Sequence, residues 1–439
     1  MIEKLPLNVV IFHYHLNPGG VTRIIESQVK SLKAIQPSNR VTVAVGACAN
    51  PEYYRRLGAE VIINPALNYM APNNLQERDL EEEFRNIYRF FAESFPGEVI
   101  FHLHNLNLGK NPLVTLAGYS LAANGYRVVN HAHDFAEDRP ENMEFLRQVI
   151  EETFQKSLQE VMYPSFNNYL FSTINLADLR RLDNFNINCH RKHLIPNPVD
   201  LLIENETTEE EAKKVVVEAL DLDPGKKIMT YPVRVIKRKN IGEFILLSVL
   251  FHQQANWLVT LPPKNPVEIE RYEQWKAFCY KHQIPVVFEA GLNLRFEDII
   301  KASDFCVTTS IREGFGMVYL EPWLLDTPVA GRSIPYIIDD LKQSGMKFSS
   351  LYSELYVNFA AEIRDFRDFP INIQKQIIAE AKSSENFQKE IFALNTELLN
   401  LFEPVTRQLV EANKNVVIKT YSIGKFGERL YGVYKRFFE

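Results

Sequence analysis

Short apolar runs alternate with amphipathic segments along the first half of the chain, a pattern that predicts β-strands separated by helices. The runs are rich in valine and isoleucine, and between them apolar residues recur every three or four positions. This alternation is typical of βα units that build an open, doubly wound parallel sheet. The predicted strands are residues 7–12, 41–45, 61–63, 99–103, 127–130 and 169–172, and the clearest predicted helices are residues 21–34, 77–94 and 112–124.

A second βα series follows a break in the pattern at residues 196–224. The break contains a carboxylate-rich stretch, residues 204–211, in which Thr208 and Glu211 have the spacing of a capping box and predict a helix start. Towards the end of the chain the pattern is helical, and residues 414–439 carry an aromatic stripe that predicts a helix packed on a core. The predicted strands of this half are residues 227–231, 257–261, 285–289, 305–309 and 328–330.

The length of the chain predicts more than one domain. Its 439 residues exceed what one hydrophobic core supports, which is about 250 to 300 residues. Apolar residues make up 46% of the chain, enough for two packed interiors, and exclude a disordered protein. We predict two α/β domains with a cleft between them, residues 1–197 and residues 198–410, followed by a helix at residues 411–439 that packs back on the first domain.

Charge and cysteine content narrow the class of protein. The net charge is −6, from 49 basic and 55 acidic residues, which argues against general binding to nucleic acid or to anionic membranes. The four cysteines form no CxxC pair, so the sequence indicates neither a zinc knuckle nor a disulfide framework. The first residues show no basic segment followed by an apolar one, as an export signal would have. We expect a cytoplasmic protein.

A pair of glycines lies in the turn between the first predicted strand and the first predicted helix. The segment reads Asn17-Pro-Gly-Gly20, and it matches neither the GxGxxG fingerprint nor the P-loop pattern. Glycines there let the backbone approach a ligand closely, and the free amides of a helix N-terminus attract an anion such as a phosphate. The same glycines also fit an ordinary tight turn.

Four cations occur within six residues after the first predicted strand of the second half. They are Arg234, Lys237, Arg238 and Lys239, in an otherwise acidic chain. An arginine fork and a lysine point charge suit a diphosphate, and we assign that role to Arg234 and Lys239. A solvated basic loop is the alternative interpretation.

Two glutamates eight positions apart flank a glycine-rich turn that follows the strand predicted at residues 305–309. The segment reads Glu313-Gly-Phe-Gly-Met-Val-Tyr-Leu-Glu321. Backbone amides of residues 314–317 can face an anion in such a turn. Glu313 falls in the loop, and Glu321 is expected about one turn into the following helix.

These motifs resemble those of the retaining GT-B glycosyltransferases of family 4. Glu313 with Glu321 resembles the family's E-x7-E motif, and Arg234 with Lys239 is similar to the arginine and lysine that hold the donor's diphosphate. The N-terminal glycine turn and the segment at residues 195–200 are similar to the family's glycine loop and domain junction. The four matches occur in the family's order and span most of the chain.

The resemblance implies two Rossmann-like domains, the first for the acceptor and the second for the donor. The donor is a nucleotide-diphosphate sugar (UDP-, GDP- or ADP-sugar), and its hexose is transferred with retention by front-face attack. No cofactor is implied for the chemistry, and a divalent cation is not expected to be essential. The implied catalytic residues are His133, Glu313, Arg234 and Lys239. The implied donor contacts are Gly19, Gly20, Arg234, Lys239, Asn240, Glu313, Gly314, Phe315, Gly316, Met317 and Glu321.

Six of the ten histidines form three H-x-H pairs, each at the end of a predicted strand of the first half. Alternate residues of a strand share a face, and the carboxyl ends of parallel strands form the ligand crevice, so we expect all three pairs to face the cleft. Three interpretations are open: hydrogen bonds to substrate hydroxyls, structural hydrogen bonds to neighbouring loops, and a metal site, which GT-B chemistry does not generally need. The resemblance places the histidine nearest the sugar at His133, with His131 second. The pairs are His13/His15, His102/His104 and His131/His133.

An amide-rich loop with one cation, Lys110, follows the second histidine pair. In the family that the chain resembles, the first domain holds the acceptor, so this loop is the predicted acceptor contact. The helix predicted at residues 77–94 is acidic and would be repelled by anionic lipid, which argues against membrane association. We expect a soluble acceptor: a small sugar-like or acid-bearing molecule, or a glycan end. The predicted acceptor contacts are His15, His104, Asn105, Lys110, His131 and Asp134.

Two segments depart from the family's pattern. Leu261-Pro-Pro-Lys-Asn265 stands where a glycine-rich turn is usual, so the sequence assigns no nucleobase preference. Pro322 directly follows Glu321 and alters the packing behind the site. Donor sugar, linkage and oligomeric state also stay open. Two alternative functions share these motifs: a GT-B phosphorylase or epimerase-type enzyme, and a catalytically idle sugar-nucleotide-binding protein.

Overall fold

The chain divides into two compact units, one of which is discontinuous in sequence. Unit 1 combines Met1–Asp200 with Tyr421–Glu439, and unit 2 comprises Leu201–Thr420. The computed structural model describes residues 6–73, 75–200 and 207–439. Residues 204–206 of the predicted acidic stretch therefore lie outside the described residues.

Unit 1 contains a seven-stranded sheet in which all neighbouring strands are parallel. The strands are β1 (Asn8–His15), β2 (Arg40–Ala47), β3 (Glu60–Ile63), β4 (Ile100–His104), β5 (Arg127–Ala132), β6 (Tyr169–Thr173) and β7 (Lys192–Leu194). Their spatial order is β3-β2-β1-β4-β5-β6-β7. The direction of winding reverses between β1 and β4, and in open parallel sheets the ligand crevice lies outside the carboxyl ends of the strands at that point.

Unit 2 repeats this arrangement with a six-stranded parallel sheet of order β10-β9-β8-β11-β12-β13. Its winding reverses between β8 and β11. A separate antiparallel hairpin, β14 with β15, completes the unit. The strands are β8 (Lys227–Tyr231), β9 (Ala255–Val259), β10 (Val286–Val287), β11 (Phe305–Thr308), β12 (Val329–Arg332), β13 (Leu351–Tyr352), β14 (Tyr356–Phe359) and β15 (Glu362–Asp365).

Helices connect the strands and close the chain. The first part of unit 1 contains α1 (Gly20–Ile35), α2 (Pro51–Arg56), α3 (Leu80–Glu93), α4 (Pro112–Ala123), α5 (Pro140–Arg147), α6 (Leu158–Met162) and α7 (Leu176–Arg181). The later helices are α8 (Glu209–Leu220), α9 (Ile241–Leu250), α10 (Pro266–Lys281), α11 (Phe296–Ala302), α12 (Glu321–Leu324), α13 (Pro335–Gln343), α14 (Ile371–Ser383), α15 (Glu385–Leu394), α16 (Arg407–Tyr421) and α17 (Ile423–Lys435). In the part of the chain that the structure describes, none of these helices has both the length and the apolar character needed to cross a membrane.

The two faces of the first sheet are covered by different helices. Ile11 packs on one face with Leu430 of α17, whereas its neighbour Phe12 packs on the other face with Phe101 and Leu116. Successive strand residues point to opposite faces, so each buried strand supplies both cores. The predicted fold class, two doubly wound α/β halves with helices at the C-terminal end, is confirmed.

A buried ion cluster fixes the carboxyl end of β12 in unit 2. The Arg332 guanidinium donates to Glu243 Oε2 at 2.7 Å and to Asp365 Oδ1 at 2.6 Å. The Tyr352 hydroxyl donates to Glu243 Oε1 at 2.6 Å. Buried charges are costly unless they are paired, and here each has a partner. The cluster therefore joins α9, β12, β13 and β15 behind the functional end of the sheet.

The structure corrects the predicted terminal segment at residues 411–439, which is not one element. In α16, the Asn413 side chain accepts from the Lys347 amide at 2.9 Å and donates to the Lys347 carbonyl at 2.7 Å, and this helix lies in unit 2. Ser422 then separates the helices, its hydroxyl accepting from the Lys425 amide at the start of α17. The second helix, α17, belongs to unit 1. The short strands β7, β13, β14 and β15 were also not predicted.

Candidate active site

The basic loop after β8 ends in a short 3₁₀ turn that orients Lys239. The Lys239 carbonyl accepts hydrogen bonds from the hydroxyls of Tyr231 at 2.6 Å and of Thr309 at 3.0 Å. Tyr231 is the last residue of β8, and Thr309 directly follows β11. The loops that follow these two central strands are therefore held against each other, and Lys239 points into the space that they share.

Glu313 lies between two cations in that space. Its Oε1 atom accepts from the Lys239 ammonium group and its Oε2 atom from the Arg238 guanidinium group. Burial acts to raise the pKa of the Glu313 carboxyl, but the charges of Lys239 and Arg238 outweigh burial and hold that pKa below its usual value. Glu313 is therefore ionised at neutral pH, although only 7% of the residue is exposed.

The structure brings together Lys239 and Glu313 but leaves Arg234 apart. Arg234 is exposed and makes no ion pair within the described residues. The second contact to Glu313 comes from Arg238, which also donates to the Arg312 carbonyl at 2.8 Å. Sequence reasoning did not assign Arg238 to the site. The signal available for it was the unbroken run of cations from Lys237 to Lys239.

The glycine-rich turn after β11 requires glycine at residue 316. Gly316 has a φ of +85°, and a Cβ there would lie 2.7 Å from Ile337 Cγ2. A 3₁₀ turn follows, and Glu321 is then the first residue of α12. The prediction that Glu321 lies one turn into a continuous helix is therefore wrong. Pro322 is the physical reason, because it has no amide hydrogen to continue the preceding turn.

The remaining predicted donor contacts of unit 2 differ in exposure. Gly314 is exposed, Met317 is half-buried and Phe315 is buried. Asn240 has a φ of 53°, and its amide donates to Glu243 Oε2 at 2.8 Å. The Asn240 side chain therefore ties the basic loop to the buried ion cluster, and its part in donor binding stays a prediction.

A small apolar crevice adjoins Glu321. Its walls combine the residues that follow β8 with the start of α12, so it opens at the same end of the sheet as Lys239. The lining residues are Pro232, Val233, Phe296, Ile300, Val318, Glu321, Pro322 and Leu325.

The glycine turn of unit 1 forms the N-terminal end of α1. Gly19 is the N-cap, with no side-chain cap and no acidic residue in the first turn of the helix. A Cβ at Gly20 would meet nothing within 4 Å, and the Thr22 hydroxyl donates to the Asn17 carbonyl at 2.6 Å. The backbone amides at this helix start are thus placed to attract an anion.

The three histidine pairs lie on one face of the first sheet, under α1 and α17. His102, His104 and His131 are fully buried, and His13 is nearly so. This corrects the prediction that every pair faces the cleft. The residues of each pair do share a face, but the rings of His104 and His131, two predicted acceptor contacts, are covered by helices. Only His15 and, with 7% of its surface exposed, His133 retain access from the strand ends.

Hydrogen bonds connect the buried imidazole rings in pairs. His102 Nε2 lies 3.1 Å from His131 Nδ1, and His104 Nδ1 lies 2.9 Å from His133 Nε2. Burial lowers the pKa of His102 to about 3 and holds the pKa of His104, His131 and His133 well below the usual range, with the neighbouring rings adding to the effect. All four rings are neutral at physiological pH.

Three of these rings are close enough to be considered as metal ligands. Nitrogens of His102, His104 and His131 lie within 4.8 Å of one another, among the described residues. However, both ring nitrogens of His102 and both of His104 already form hydrogen bonds to protein groups. An ion would have to break those bonds, so the arrangement favours the structural interpretation of these rings over the metal site.

Several polar side chains of the amide-rich loop after β4 form hydrogen bonds to neighbouring loops at the strand ends. Asn105 is buried in a left-handed conformation, and its Oδ1 atom accepts from the amides of His133 at 2.8 Å and Asp134 at 3.2 Å. Lys110 donates to Asn142 Oδ1 at 3.1 Å. Asp134 forms a partly exposed ion pair with Arg139 at 2.9 Å. Lys110, Asp134 and the unpredicted Arg139 are thus among the accessible charged groups of this region.

Comparison with known proteins supports the predicted fold class. No known family model matches the chain. It is similar to the mannosylglucosyl-3-phosphoglycerate synthase of Petrotoga mobilis, with 26% identity over 97% of this chain and 90% of that protein. Among solved structures, it is similar to Anabaena HepE in complex with UDP and glucose, with a TM-score of 0.62, 12% identity and coverage of 98% and 99% of the two chains. It also resembles a sucrose-phosphate synthase from Thermosynechococcus elongatus, with a TM-score of 0.60, 15% identity and coverage of 98% and 99%.

The two parallel-sheet units therefore have the architecture of the GT-B enzymes, and the similarity to the Petrotoga synthase extends along nearly the whole chain. The chain is a glycosyltransferase of the GT-B type.

Proposed function

We propose that this enzyme transfers a hexosyl group, with retention, from a nucleotide-diphosphate sugar to a small, soluble, acid-bearing acceptor, as a member of family 4. The observation that carries the proposal is Glu313 held between Lys239 and Arg238 in the loops after the central strands of unit 2. Carboxylate and cations there serve two different parts of one donor molecule, the sugar and the diphosphate.

The chemistry of the donor requires both kinds of charge. When the bond between the anomeric carbon and the phosphate breaks, negative charge develops on the leaving nucleoside diphosphate. Fixed cations aimed at this charge lower the barrier. Lys239, Arg238 and the exposed Arg234 supply them, while Glu313 accepts hydrogen bonds from hydroxyls of the sugar.

Retention fits front-face attack better than double displacement. Double displacement needs a carboxylate nucleophile beside the anomeric carbon. Glu313 is engaged by Lys239 and Arg238 and is not placed as a free nucleophile. In front-face attack, the acceptor hydroxyl oxygen bonds to the anomeric carbon as the bond from that carbon to the phosphate oxygen breaks. The hydroxyl proton passes to the departing phosphate oxygen.

An acid-bearing acceptor is supported by one observation in unit 1 and by the name of one relative. Lys110 and Arg139 lie in the loops that follow β4 and β5, at the carboxyl end of the sheet. The name of the Petrotoga relative describes a product that contains a phosphoglycerate unit joined to sugars. We therefore assign the acceptor's carboxylate or phosphate to Lys110 and Arg139.

A matrix of donors and acceptors tests the proposal. UDP-, GDP- and ADP-hexoses are each combined with a glucosyl phosphoglycerate, its dephosphorylated form and a neutral disaccharide, and the nucleoside diphosphate released is measured. We expect transfer only to the acid-bearing acceptors, with the anomeric configuration of the donor retained in the NMR spectrum of the product. Transfer only to the neutral sugar, an inverted product, or nucleotide binding without turnover would each overturn the proposal.

A further inference from the structure

One side chain, Gln28 of α1, joins two rows of buried groups in unit 1. Gln28 is fully buried, and its amide nitrogen donates to the Tyr434 hydroxyl of α17 at 2.9 Å. Its amide oxygen lies 2.8 Å from His104 Nε2. The two partners belong to different elements, so a single amide links α1 with β4 on one side and with α17 on the other.

The first row runs from Gln28 through His104 to His133. An amide oxygen can only accept, so His104 carries its hydrogen on Nε2. Because the buried ring is neutral, its Nδ1 atom has a lone pair and must accept from His133 Nε2, 2.9 Å away. His133 is neutral as well, which leaves its own Nδ1 atom without a hydrogen.

That Nδ1 atom lies at the open end of the row. His133 directly follows β5, and within the described residues its Nδ1 atom forms no hydrogen bond. The His133 amide is fixed by Asn105 Oδ1 at 2.8 Å, so the backbone that carries the ring is held in place. The row therefore ends in an oriented hydrogen-bond acceptor at the carboxyl edge of the sheet.

The second row remains inside the core. The Tyr434 hydroxyl donates to His102 Nδ1 at 2.8 Å, and His102 Nε2 then donates to His131 Nδ1 at 3.1 Å. The row ends at His131 Nε2, a buried atom with no hydrogen-bond partner. Of the two rows that start at Gln28, only the first reaches the strand ends.

We propose that Gln28 is a positioning residue that fixes His133 as the Nε2-protonated tautomer, so that His133 presents Nδ1 as an acceptor to a hydroxyl of the transferred sugar. The identity of that partner rests on the proposed function. His133 then binds and orients the sugar and does not protonate the leaving phosphate, because its accessible nitrogen carries no proton. A reversed Gln28 amide would invert the first row and make the same nitrogen a donor.

The tautomer is measured directly by NMR of the full chain labelled with ¹⁵N-histidine, without any substrate. We expect His104 and His133 to carry hydrogen on Nε2, with their signals assigned from His104→Gln and His133→Gln. A hydrogen on His133 Nδ1 would overturn the proposal. Because no sugar is present, this result is independent of whether the proposed donor and acceptor are correct.

A matched pair of variants tests the functional consequence. Gln28→Met removes the acceptor of His104, so His104 and His133 can exchange tautomers, and we expect kcat to fall about 10-fold with the donor KM within about twofold. The control is Ser31→Ala, which removes a buried hydroxyl of the same helix that donates to the Gln28 backbone carbonyl at 2.9 Å and belongs to neither row, and we expect kcat within about threefold and an unchanged His133 tautomer.

An equal loss of kcat in the two variants, or an unchanged His133 tautomer in Gln28→Met, would show that Gln28 contributes only to packing and would overturn the proposal. If Gln28→Met does not fold, the spectrum of the unaltered protein still decides the tautomer.

Discussion

At the residue scale, Glu313 is a buried carboxylate that two neighbouring cations keep ionised. Before a donor binds, Lys239 and Arg238 both pair with this one side chain, so one positive charge of the three groups stays uncompensated. In the proposed function, a diphosphate adds negative charge to the same cations, and Arg234, which has no ion pair within the described residues, supplies further positive charge. The site is therefore assembled before the donor arrives, which lowers the cost of ordering it on binding.

Lys239→Ala tests the cation at the centre of this cluster. It removes a charge that, in the proposed function, faces the departing diphosphate, and we expect kcat/KM to fall by about 100- to 1000-fold. The matched control is Lys237→Ala, since Lys237 lies in the same turn but is exposed and makes no ion pair among the described residues. Steady-state kinetics of both variants, with circular dichroism to check folding, make the comparison. Similar activity in the two variants would contradict the assignment.

Lys110→Ala tests the acceptor assignment. The lysine is a point charge for the acid group of the acceptor, so its loss should raise the acceptor KM by about 10-fold and leave the donor KM unchanged. The effect should be much smaller with an acceptor that lacks the acid group. An unchanged KM for the acid-bearing acceptor would remove Lys110 from the site.

The buried histidines make unit 1 sensitive to acid. In the unfolded chain a histidine titrates near pH 6.5, whereas burial lowers the pKa of His13 and His102 to about 3 in the folded chain. Above pH 6.5 both states are neutral and the difference has no effect. As the pH falls from 6.5 towards 3, only the unfolded chain gains protons, so each such histidine lowers the unfolding free energy by up to about 1.4 kcal/mol per pH unit.

Urea denaturation at a series of pH values between about 7.5 and 5 measures this slope. We expect stability to drop steeply below pH 6.5, and His131→Gln to reduce the slope. A flat profile in the unaltered protein would contradict the burial of neutral rings.

The positions of some single residues could be predicted from the sequence, and those of others could not. Spacing placed His102 and His104 correctly on one face, because the side-chain period of a strand is fixed. It did not show that α17 would cover that face, because the contact with Tyr434 spans 332 positions. Arg238 was missed for a related reason, since the direction of a side chain in a 3₁₀ turn is set by packing and not by spacing.

At the element scale, α17 completes the core of unit 1 by lying against α1. The contact is closest at Gly427, where a Cβ would lie 2.6 Å from Ile35 Cδ1 and 3.0 Å from Ser31 Cβ. Leu430 and Tyr434 follow on the same face and are fully buried. Glycine at this position therefore sets how near the two helices come.

Two glycine-to-alanine substitutions in α17 distinguish the effect of this close contact on stability from the effect of helix propensity. Gly427→Ala forces α1 and α17 apart and should lower the unfolding free energy by about 1 to 2 kcal/mol. Gly432→Ala meets nothing within 4 Å and should raise it by about 0.5 to 1 kcal/mol, since alanine favours the helix. Denaturation midpoints of the two variants should move in opposite directions, and a shift in the same direction would refute the close contact.

The elements that sequence reasoning missed lack the local signals on which it depends. In the turn between β14 and β15, Ala360 and Ala361 have φ values of 54° and 64°. Glycine or asparagine at these positions would indicate a hairpin in the sequence, but alanine does not. β15 itself is mostly exposed and charged, so it shows no apolar alternation. By contrast, β8 was predicted with its observed bounds because its apolar run ends in a clear loop.

At the scale of the whole molecule, unit 1 is made from both ends of the chain and unit 2 from its middle. Two doubly wound sheets were predictable from the two βα series, whereas the order of their strands was not predicted. The discontinuity was predictable only in part, because the aromatic stripe at residues 414–439 shows that a helix packs on a core but not that Ser422 ends one helix and starts another.

A chain that ends at residue 420 tests this division. It loses α17 and uncovers the sheet face that Leu430 and Tyr434 occupy, so unit 1 should be strongly destabilised while unit 2 keeps its core. Hydrogen exchange should accelerate in β1 and β4 and stay unchanged in β8 and β11. A nucleoside diphosphate should still stabilise unit 2 against heat. Unchanged protection of β1 would show that α17 is dispensable.

The hydrogen bond between Gln28 and Tyr434, which are 406 positions apart, has a consequence for biosynthesis. The ribosome must translate all of unit 2 before α17 emerges, which takes about 10 to 45 seconds at about 5 to 20 residues per second. During that time the strands and α1 of unit 1 exist without their covering helix. The half of the protein that is made first is thus completed last, and a nascent chain stalled within unit 2 exposes an apolar face for chaperones to bind.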